Sequence, residues 1–465
     1  MVFSSLTFIY IFLPVVLILY FMCKNIKQKN LLLLISSLIF YAWGEPIYII
    51  LMIASICITY YFGLLIDKKE NKKIYLILSI VILISLLLFF KYGNFLIDNI
   101  NYIFKLNIKN INLPLPIGIS FYTFQAISYL ADLYCNKIKV QKSWTNLALY
   151  ISLFPQLIAG PIVRYETIEK EINVRTHSLE KFDLGIKRFI IGLSKKVILA
   201  NSMGAIADVV LNNPSQFGSI IIWIGGIAYS LQIYFDFSGY SDMAIGLGKI
   251  FGFTFLENFN FPYIASSITD FWRRWHISLS SFFKDYVYIP LGGSRVSKLK
   301  NIRNILVVWV LTGIWHGASW NFIIWGLYFG IILLLEKFVL KDFIEKLPNM
   351  TKHIFTLILV IISWIIFYNT NINNLLICLK TMFIFKSSNI VKFFYDNAYL
   401  IFNFYIIIPA IIFCIPFNIK KLQFNNDILN YIYNIFIDGI YMILLLVSTA
   451  FISGNSFNPF IYFRF

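Results

Sequence analysis

Apolar stretches of membrane-spanning length, separated by short polar stretches, follow one another along nearly the whole chain. A helix needs roughly 20 residues to cross a bilayer. The apolar pattern predicts segments near 5–23, 31–43, 46–66, 74–90, 117–134, 146–163, 186–211, 218–250, 303–316, 319–339, 354–368, 398–416 and 428–452. Some are too short to cross straight and are interpreted as re-entrant. Because lipid offers no partner to an open sheet edge, the pattern predicts an all-α polytopic integral membrane protein with about 11–13 such segments.

Composition supports a membrane protein and argues against a soluble chain and against nucleic-acid binding. Hydrophobic residues make up 59% of the 465 positions and charged residues only 13%, whereas a soluble chain needs far more polar surface. The net charge of +17 is typical of basic cytoplasmic loops rather than of nucleic-acid binding. Segment 5–23 has no basic start and too long an apolar run for a cleaved signal peptide. It is predicted to be the first spanning helix.

Basic loops predict the orientation. By parity of the predicted spans, three of them share one side of the membrane: 24–30, 67–73 and 135–144. The positive-inside rule makes that side cytoplasmic and places the N-terminus outside. The charged segment 164–188 would fall outside if 146–163 crossed the membrane. Since Pro155, Gly160 and Pro161 interrupt helices, we predict that 146–163 is re-entrant and that 164–188 is cytoplasmic.

Two aspartates lie in an otherwise apolar stretch, and ionisable residues at membrane depth are candidate functional residues. Asp236 and Asp242 are six residues apart, so at about 100° per residue they do not share a helix face. Either Gly239 breaks the helix between them, or each aspartate has its own partner. We favour a role in stabilising the helical bundle over a direct chemical role.

A basic and aromatic stretch, 258–295, is predicted to contain a short amphipathic helix that begins near Asp270, capped by a preceding serine or threonine. Its ionisable residues are Arg273, Arg274, His276, Lys284 and Arg295, and Ser266, Ser267 and Thr269 are the candidate caps. Two interpretations stand equally. The cations can bind the phosphates of a nucleotide-bearing cofactor, or they can contact anionic lipid.

A third stretch, "LTGIWHGASW" at 311–320, places His316 between two tryptophans and apolar runs. A neutral imidazole, with a pKa near about 6.5, is the side chain best suited to accept a proton at neutral pH. A single buried histidine is nevertheless more often a core residue. The five cysteines form no C-x-x-C pair and no zinc-like spacing, so we predict small hydrophobic side chains and no metal site.

These three stretches, with others nearer the N-terminus, resemble the membrane-bound O-acyltransferase (MBOAT) family. The similarity is to its bacterial branch, which includes proteins of alginate and peptidoglycan O-acetylation and of teichoic-acid D-alanylation. It covers most of residues 1–340, and between about 341 and 445 no motif matches. The motifs are "MVFSSLTFIYIFLPVVLILYF" (1–21), "LPIGISFYTFQAISYLADLY" (115–134), "LFPQLIAGPIVRY" (153–165), "YFDFSGYSDMAIGLG" (234–248), "NFNFPYIASSITDFWRRWHISLSSFFKDYVYIPLGG" (258–293) and "LTGIWHGASWNFIIWG" (311–326).

The resemblance implies an MBOAT-type helical bundle around a central tunnel, with the whole chain as one domain. It implies that His316, in "WHG", is the catalytic residue and that His276, in "RRWH", supports it. The flanking Trp315 and Trp320 are expected to wall the site. The remaining histidines, His177 and His353, match no motif and are predicted to lie at the surface.

The chain ends in "NPFIYFRF" at 458–465. This ending is interpreted either as an interfacial aromatic anchor or, by resemblance, as a terminal acyl-relay motif of the bacterial branch. In the D-alanylation system a separate small membrane peptide carries that motif. The resemblance implies that Tyr462 carries the acyl group as a phenyl ester. A phenol, with a pKa near about 10, is easier to deprotonate than an aliphatic alcohol.

The resemblance therefore implies an enzyme of the bacterial plasma membrane that moves an acetyl group from a cytoplasmic thioester towards a cell-envelope polysaccharide. The expected donor is acetyl-CoA, bound near Arg273, Arg274 and Lys284, with no permanently bound cofactor. The expected partner is an extracytoplasmic acetyltransferase of the SGNH type, alongside membrane lipid. D-alanyl transfer to teichoic acids and a non-enzymatic transporter are the alternatives.

Overall fold

Helices are the regular elements throughout the part of the chain that the computed structural model describes, which is residues 1–111, 113–158, 160–416, 427–454 and 460–461. No strand occurs among these residues. The predicted all-α fold is confirmed. Its physical reason is that a helix satisfies its backbone N–H and C=O groups internally, as an apolar environment requires.

Within the described residues, seven helices are long and apolar enough to cross a membrane: Ile49–Lys68, Lys72–Phe104, Leu179–Asn212, Ser219–Ile250, Trp320–Phe338, Asn349–Tyr368 and Ile428–Gly454. Ile390–Asp396 and Ala398–Ile412 meet the same criteria together but are bent by 89°, as in a broken span or a re-entrant loop. The protein is multi-pass. The N-terminal apolar helix, Phe8–Met22, is shorter than a straight crossing requires.

The segment predicted to be re-entrant contains two short helices, Trp144–Ser152 and Phe154–Leu157. Neither has the length of a straight crossing. The interruption lies at Leu153, and the backbone N–H of Phe154 donates to Ser37 Oγ at 3.1 Å. A neighbouring side chain thus satisfies a donor that the break frees. The charged stretch 164–188 contains the helix Tyr165–Asn173 and the start of the next helix.

Two compact units make up the chain. The first comprises residues 1–189 and 243–257. Its helical segments are Phe8–Phe12, Leu13–Met22, Ile26–Gly44, Ile49–Lys68, Lys72–Phe104, Ile119–Tyr134, Trp144–Ser152, Phe154–Leu157, Tyr165–Asn173 and part of Leu179–Ser194. Aromatic rings form much of its core. Phe3, Phe8, Phe40 and Phe154 are fully buried, with centroids 4.9–6.5 Å apart.

His177, in the first unit, is partly buried rather than openly exposed. Its Nε2 lies 2.8 Å from Tyr20 Oη, which donates to the carbonyl of Phe251 at 2.8 Å. Arg175 Nε also donates to Tyr20 Oη, at 3.0 Å. Burial, and then the positive charges of Lys29 and Arg175, lower the pKa of His177. His177 is therefore a partly exposed residue whose imidazole is held against Tyr20.

The second unit comprises residues 190–242 and 258–464. Its helical segments are the end of Leu179–Ser194, Lys195–Ala200, Asn201–Asn212, Pro214–Gln216, most of Ser219–Ile250, Pro262–Ile264, Ile268–Arg274, Ile277–Phe283, Lys284–Tyr288, Lys298–His316, Trp320–Phe338, Lys341–Lys346, Asn349–Tyr368, Ile372–Phe383, Ile390–Asp396, Ala398–Leu400, Ile401–Ile412 and Asp427–Gly454. The histidine motifs lie in this unit.

Two of these helices, Lys298–His316 and Trp320–Phe338, form an antiparallel hairpin whose glycines permit close backbone contact. A methyl group added at Gly313 would overlap the backbone oxygen of Phe322, and one added at Gly326 would overlap that of Trp309. Small residues at a helix interface allow backbones to approach in this way. The hairpin therefore determines where its turn, and the residues beside the turn, lie.

We predict that Gly313→Ala lowers the apparent unfolding temperature of the detergent-purified protein. The added methyl overpacks the hairpin, which typically costs about 1–3 kcal/mol. Gly439→Ala is the matched control, because nothing lies within 4 Å of a side chain added there and alanine is the better helix former. Equal thermal unfolding curves for the two variants would contradict the close-approach argument.

Candidate active site

His316 is the last residue of the helix Lys298–His316, and aromatic rings enclose its imidazole. The ring centroids of Trp315, Trp325 and Phe367 lie 5.0, 4.9 and 5.2 Å from that of His316, at interplanar angles of 75–84°. Only 5% of His316 is exposed. Such surroundings exclude most water and strengthen any hydrogen bond that the imidazole makes.

Two walls of this enclosure come from residues that sequence reasoning missed. Trp325 lies on the second helix of the hairpin, and Phe367 lies on Asn349–Tyr368, where no family motif was recognised. The buried Asn321 holds Phe367 in place, because Asn321 Nδ2 donates to the carbonyl of Phe367 at 2.9 Å. Trp320, expected as a wall, is 51% exposed. For Trp325, the sequence signal that could have been used is helical periodicity. Asn321 and Trp325 are four residues apart and therefore lie on the same face of a helix.

His276 lies in the turn between the helices Ile268–Arg274 and Ile277–Phe283. Its backbone is left-handed, with φ of 44°, which is uncommon for a residue with a side chain. Asn258 holds this turn, because its carbonyl accepts from Ile277 N at 2.9 Å and its Oδ1 accepts from Ser278 N and Oγ at 3.0 and 2.9 Å. Asn258 Oδ1 also lies 3.3 Å from His276 Nδ1. The imidazole is therefore oriented by the same asparagine.

One tryptophan ring lies beside both motif histidines. The Trp315 centroid is 6.0 Å from that of His276 and 5.0 Å from that of His316. The ring of Phe237, on the helix Ser219–Ile250, lies 6.3 Å from His276. Burial lowers the pKa of His276 to about 3, so this imidazole is neutral at pH 7. The structure thus brings the two predicted histidines into one aromatic cluster.

The predicted basic cluster has a mixed environment. Arg274 Nε donates to both carboxylate oxygens of Asp270 at 3.0 Å, whereas Arg273 and Lys284 are exposed. Ser267, one of the three candidate caps, accepts from Asp270 N at 3.0 Å, and the helix begins at Ile268. The exposed cations are accessible to an anionic ligand or to lipid.

Each buried aspartate forms an ion pair with a lysine. Lys196 Nζ lies 2.5 Å from Asp236 Oδ1, and Lys195 Nζ lies 2.6 Å from Asp242 Oδ2. The helix that carries the aspartates is continuous from Ser219 to Ile250, so Gly239 does not break it. A side chain at Gly239 would instead lie 2.7 Å from the carbonyl oxygen of Gly192. That glycine lets the two backbones approach.

The lysines were missed by sequence reasoning. Lys195 and Lys196 are adjacent charges in an apolar segment, and this pattern could have marked them as partners of the aspartates. The pair Lys196–Asp236 is almost inaccessible, at 2% and 1% exposure. No group of three or more candidate metal ligands occurs among the described residues.

Two residues near the C-terminus, Phe460 and Ile461, contact the ion pair Lys196–Asp236. Ile461 N donates to Asp236 Oδ2 at 2.8 Å. The Phe460 ring lies 4.8 Å from Lys196 Nζ and 4.7 Å from the ring of Tyr240. Tyr462, the predicted acyl acceptor, lies outside the described residues.

Comparison with known proteins connects this geometry to a family. Residues 137–379 match the membrane-bound O-acyltransferase family. The chain is 43% identical to the probable alginate O-acetylase AlgI of Pseudomonas aeruginosa, over 80% of this chain and 73% of that protein. The chain belongs to the MBOAT family. This MBOAT chain is also 38% identical to a peptidoglycan O-acetyltransferase of Helicobacter pylori, over 82% of this chain and 80% of that protein.

A third relative is more distant. A teichoic acid D-alanyltransferase of Bacillus subtilis is 32% identical, over 50% of this chain and 61% of that protein. Family membership identifies the MBOAT chain as an O-acyltransferase of the membrane. The catalytic roles of His316 and His276 stay predictions.

We predict that His316→Ala lowers acyl transfer about 10²–10⁴-fold while the protein still inserts and purifies as a single species. That range is typical of a lost general base. His276→Ala is expected to lower transfer less, because its contacts orient a turn. The assay measures the rate at which purified protein transfers a labelled acetyl group. Each rate is divided by the amount of monodisperse protein, determined by size-exclusion chromatography.

His353→Ala serves as the matched control. His353 is partly buried and its Nδ1 lies 3.1 Å from the carbonyl oxygen of Ala265. Wild-type turnover in His316→Ala would refute the assignment. A loss at His276 as large as that at His316 would reverse the ranking of the two histidines.

Proposed function

We propose that this protein moves an acetyl group from a cytoplasmic thioester, acetyl-CoA, to its own C-terminal tyrosine and onward to a cell-envelope polysaccharide. The observation that carries the proposal is the aromatic enclosure of His316 in an MBOAT chain. An imidazole in dry surroundings can take a proton from an attacking hydroxyl group while water, which would hydrolyse the thioester, is kept away.

The first chemical step consumes the thioester. The phenolic oxygen of Tyr462 transfers its proton to His316 and attacks the thioester carbonyl. The C–S bond then breaks, and the departing thiolate takes the proton from the imidazolium, so that free thiol and a phenyl ester result. The ester preserves an activated acyl group, because a phenolate leaves more readily than an aliphatic alkoxide.

The second step needs a partner outside the cytoplasm. An acetyltransferase of the SGNH type would supply a serine that attacks the phenyl ester, regenerating the phenol, and would pass the acetyl group to the polysaccharide. For this relay to operate, the protein would lie in the bacterial plasma membrane. The relay gives the aromatic motif at 458–465 a chemical role.

Acetyl transfer is favoured over D-alanyl transfer by two observations. The O-acetylase relatives share more sequence over a larger part of the chain, 80–82%, than the D-alanyltransferase, which matches 50%. The terminal motif also belongs to this chain, whereas the D-alanylation system is expected to carry it on a separate peptide.

The basic residues before and after His276 are proposed to bind the donor phosphates. We predict that Arg273→Gln with Arg274→Gln weakens acetyl-CoA binding by at least about tenfold, since charge-assisted hydrogen bonds are the strong ones. Asp270→Asn is the control. It removes the partner of Arg274 without removing a cation. If calorimetry gives the double variant the same affinity for acetyl-CoA as wild type, lipid contact is the remaining interpretation of these arginines.

The proposal predicts a labelled intermediate. Vesicles containing the protein and given labelled acetyl-CoA on the cytoplasmic side are expected to accumulate acetyl on the C-terminal peptide, detected by mass spectrometry. The label is expected to reach the polysaccharide only when an SGNH-type partner is present. Acetylated polymer in a host that lacks every such partner would contradict the relay.

Tyr462→Phe provides the matched variant, because it keeps the ring and removes only the oxygen. It is expected to abolish both the labelled peptide and polymer acetylation. Tyr405→Phe, at a tyrosine that is 69% exposed, controls for loss of a phenol elsewhere. Wild-type polymer acetylation by Tyr462→Phe would exclude the tyrosine as the carrier.

A further inference from the structure

The Asp236 carboxylate of the buried ion pair Lys196–Asp236 has a second contact besides the lysine. One carboxylate oxygen, Oδ1, faces Lys196 Nζ at 2.5 Å. The other, Oδ2, accepts the backbone N–H of Ile461 at 2.8 Å. The carboxylate therefore contacts a lysine with one oxygen and the backbone of Ile461 with the other.

We propose that Asp236 and Lys196 form a dock for the C-terminal segment and act as positioning residues for the acyl acceptor. The dock consists of the Asp236 carboxylate, the Lys196 ammonium group and the Tyr240 ring. The role in acyl transfer rests on the proposed function, whereas the docking itself rests on the contacts of Phe460 and Ile461.

Physical chemistry explains the choice of a carboxylate. A peptide segment inside an apolar environment needs an acceptor for each backbone N–H, and an ionised carboxylate is among the strongest. Its charge needs a counter-ion when buried, and Lys196 supplies one at 2% exposure. The same ammonium lies 4.8 Å from the Phe460 ring, within the range of a cation–π interaction.

The dock is well placed to orient the next residue of the chain. Phe460 and Ile461 are only 2% and 4% exposed, and Tyr462 follows Ile461 directly. Asp236 is adjacent in the helix to Phe237, whose ring lies 6.3 Å from that of His276. His276 in turn shares Trp315 with His316. A series of ring contacts therefore connects the residue next to Asp236 with the two motif histidines.

Two double variants test the acceptor role of Asp236. Both Asp236→Asn with Lys196→Gln and Asp236→Leu with Lys196→Met remove the two buried charges together, which bundles often tolerate. Only the first keeps a side-chain oxygen that can accept the Ile461 N–H. Docking is measured on the full chain by the rate at which carboxypeptidase Y shortens the C-terminus, followed by intact-protein mass spectrometry.

The oxygen-bearing variant is expected to be trimmed at close to the wild-type rate and to keep most acyl transfer. The apolar variant is expected to be trimmed about five- to tenfold faster, the range of one lost hydrogen bond, with a parallel loss of transfer. Equal trimming of the two folded variants would overturn the dock and leave a purely structural ion pair.

A second pair of variants lies in the tail itself and does not endanger the bundle. Ile461→Pro removes the donor N–H, whereas Ile461→Val keeps it along with a β-branched side chain. The proline variant is expected to be trimmed faster by a similar factor, and the valine variant to match wild type. Equal trimming of these two would also overturn the proposal.

This assay uses no acyl donor, so the two proposals can fail separately. Tyr462→Phe is expected to keep wild-type protection against trimming while losing transfer. Protection that depends on Asp236 together with unimpaired transfer by Tyr462→Phe would uphold the dock and refute the relay. If protection does not depend on Asp236 but Tyr462→Phe loses transfer, the dock is refuted and the relay is upheld.

Discussion

The requirement that every polar group in an apolar environment find a partner governs this protein more than any other constraint. Backbone groups meet it through helices, which form the regular structure of all described residues. Charged groups meet it through pairing, as Asp236 does with Lys196 and Asp242 does with Lys195. The backbone N–H of Ile461 also meets it through this carboxylate, because Asp236 accepts that N–H. One carboxylate therefore pairs with a buried lysine and accepts a backbone N–H from a segment distant in sequence.

A second constraint, close packing, positions the catalytic candidate. Glycines at 313 and 326 let two helices touch through their backbones, and His316 ends the first of these helices. Large rings then fill the space that the hairpin leaves, with Trp315 and Trp325 on its own helices and Phe367 on a third. Small residues thus bring the backbone together, and large residues make the surroundings of the imidazole apolar. The two kinds of residue have complementary roles around one side chain.

Sequence reasoning and structure agree best where a motif is local. The "WHG" and "RRWH" motifs were identified from adjacent letters, and the structure brings both histidines to Trp315. Agreement is weaker where the partner is distant in sequence. Phe367 lies about fifty positions after His316, in a region without a recognised motif, and Lys196 lies forty positions before Asp236. Hydropathy reports how apolar a segment is, and it carries no information on which other segment that one will face.

The sequence by itself determined the all-helical membrane class, the family and the candidate histidines, because these depend on composition, on apolar length and on short motifs. Only the tertiary structure decided that Gly239 permits close approach instead of breaking its helix, and that each aspartate has its own lysine. It alone revealed that Ile461 shares Asp236 with Lys196. The physical reason is that helix formation is satisfied within a segment, whereas the pairing of buried charges is satisfied between segments, and the packing of the whole unit selects those partners.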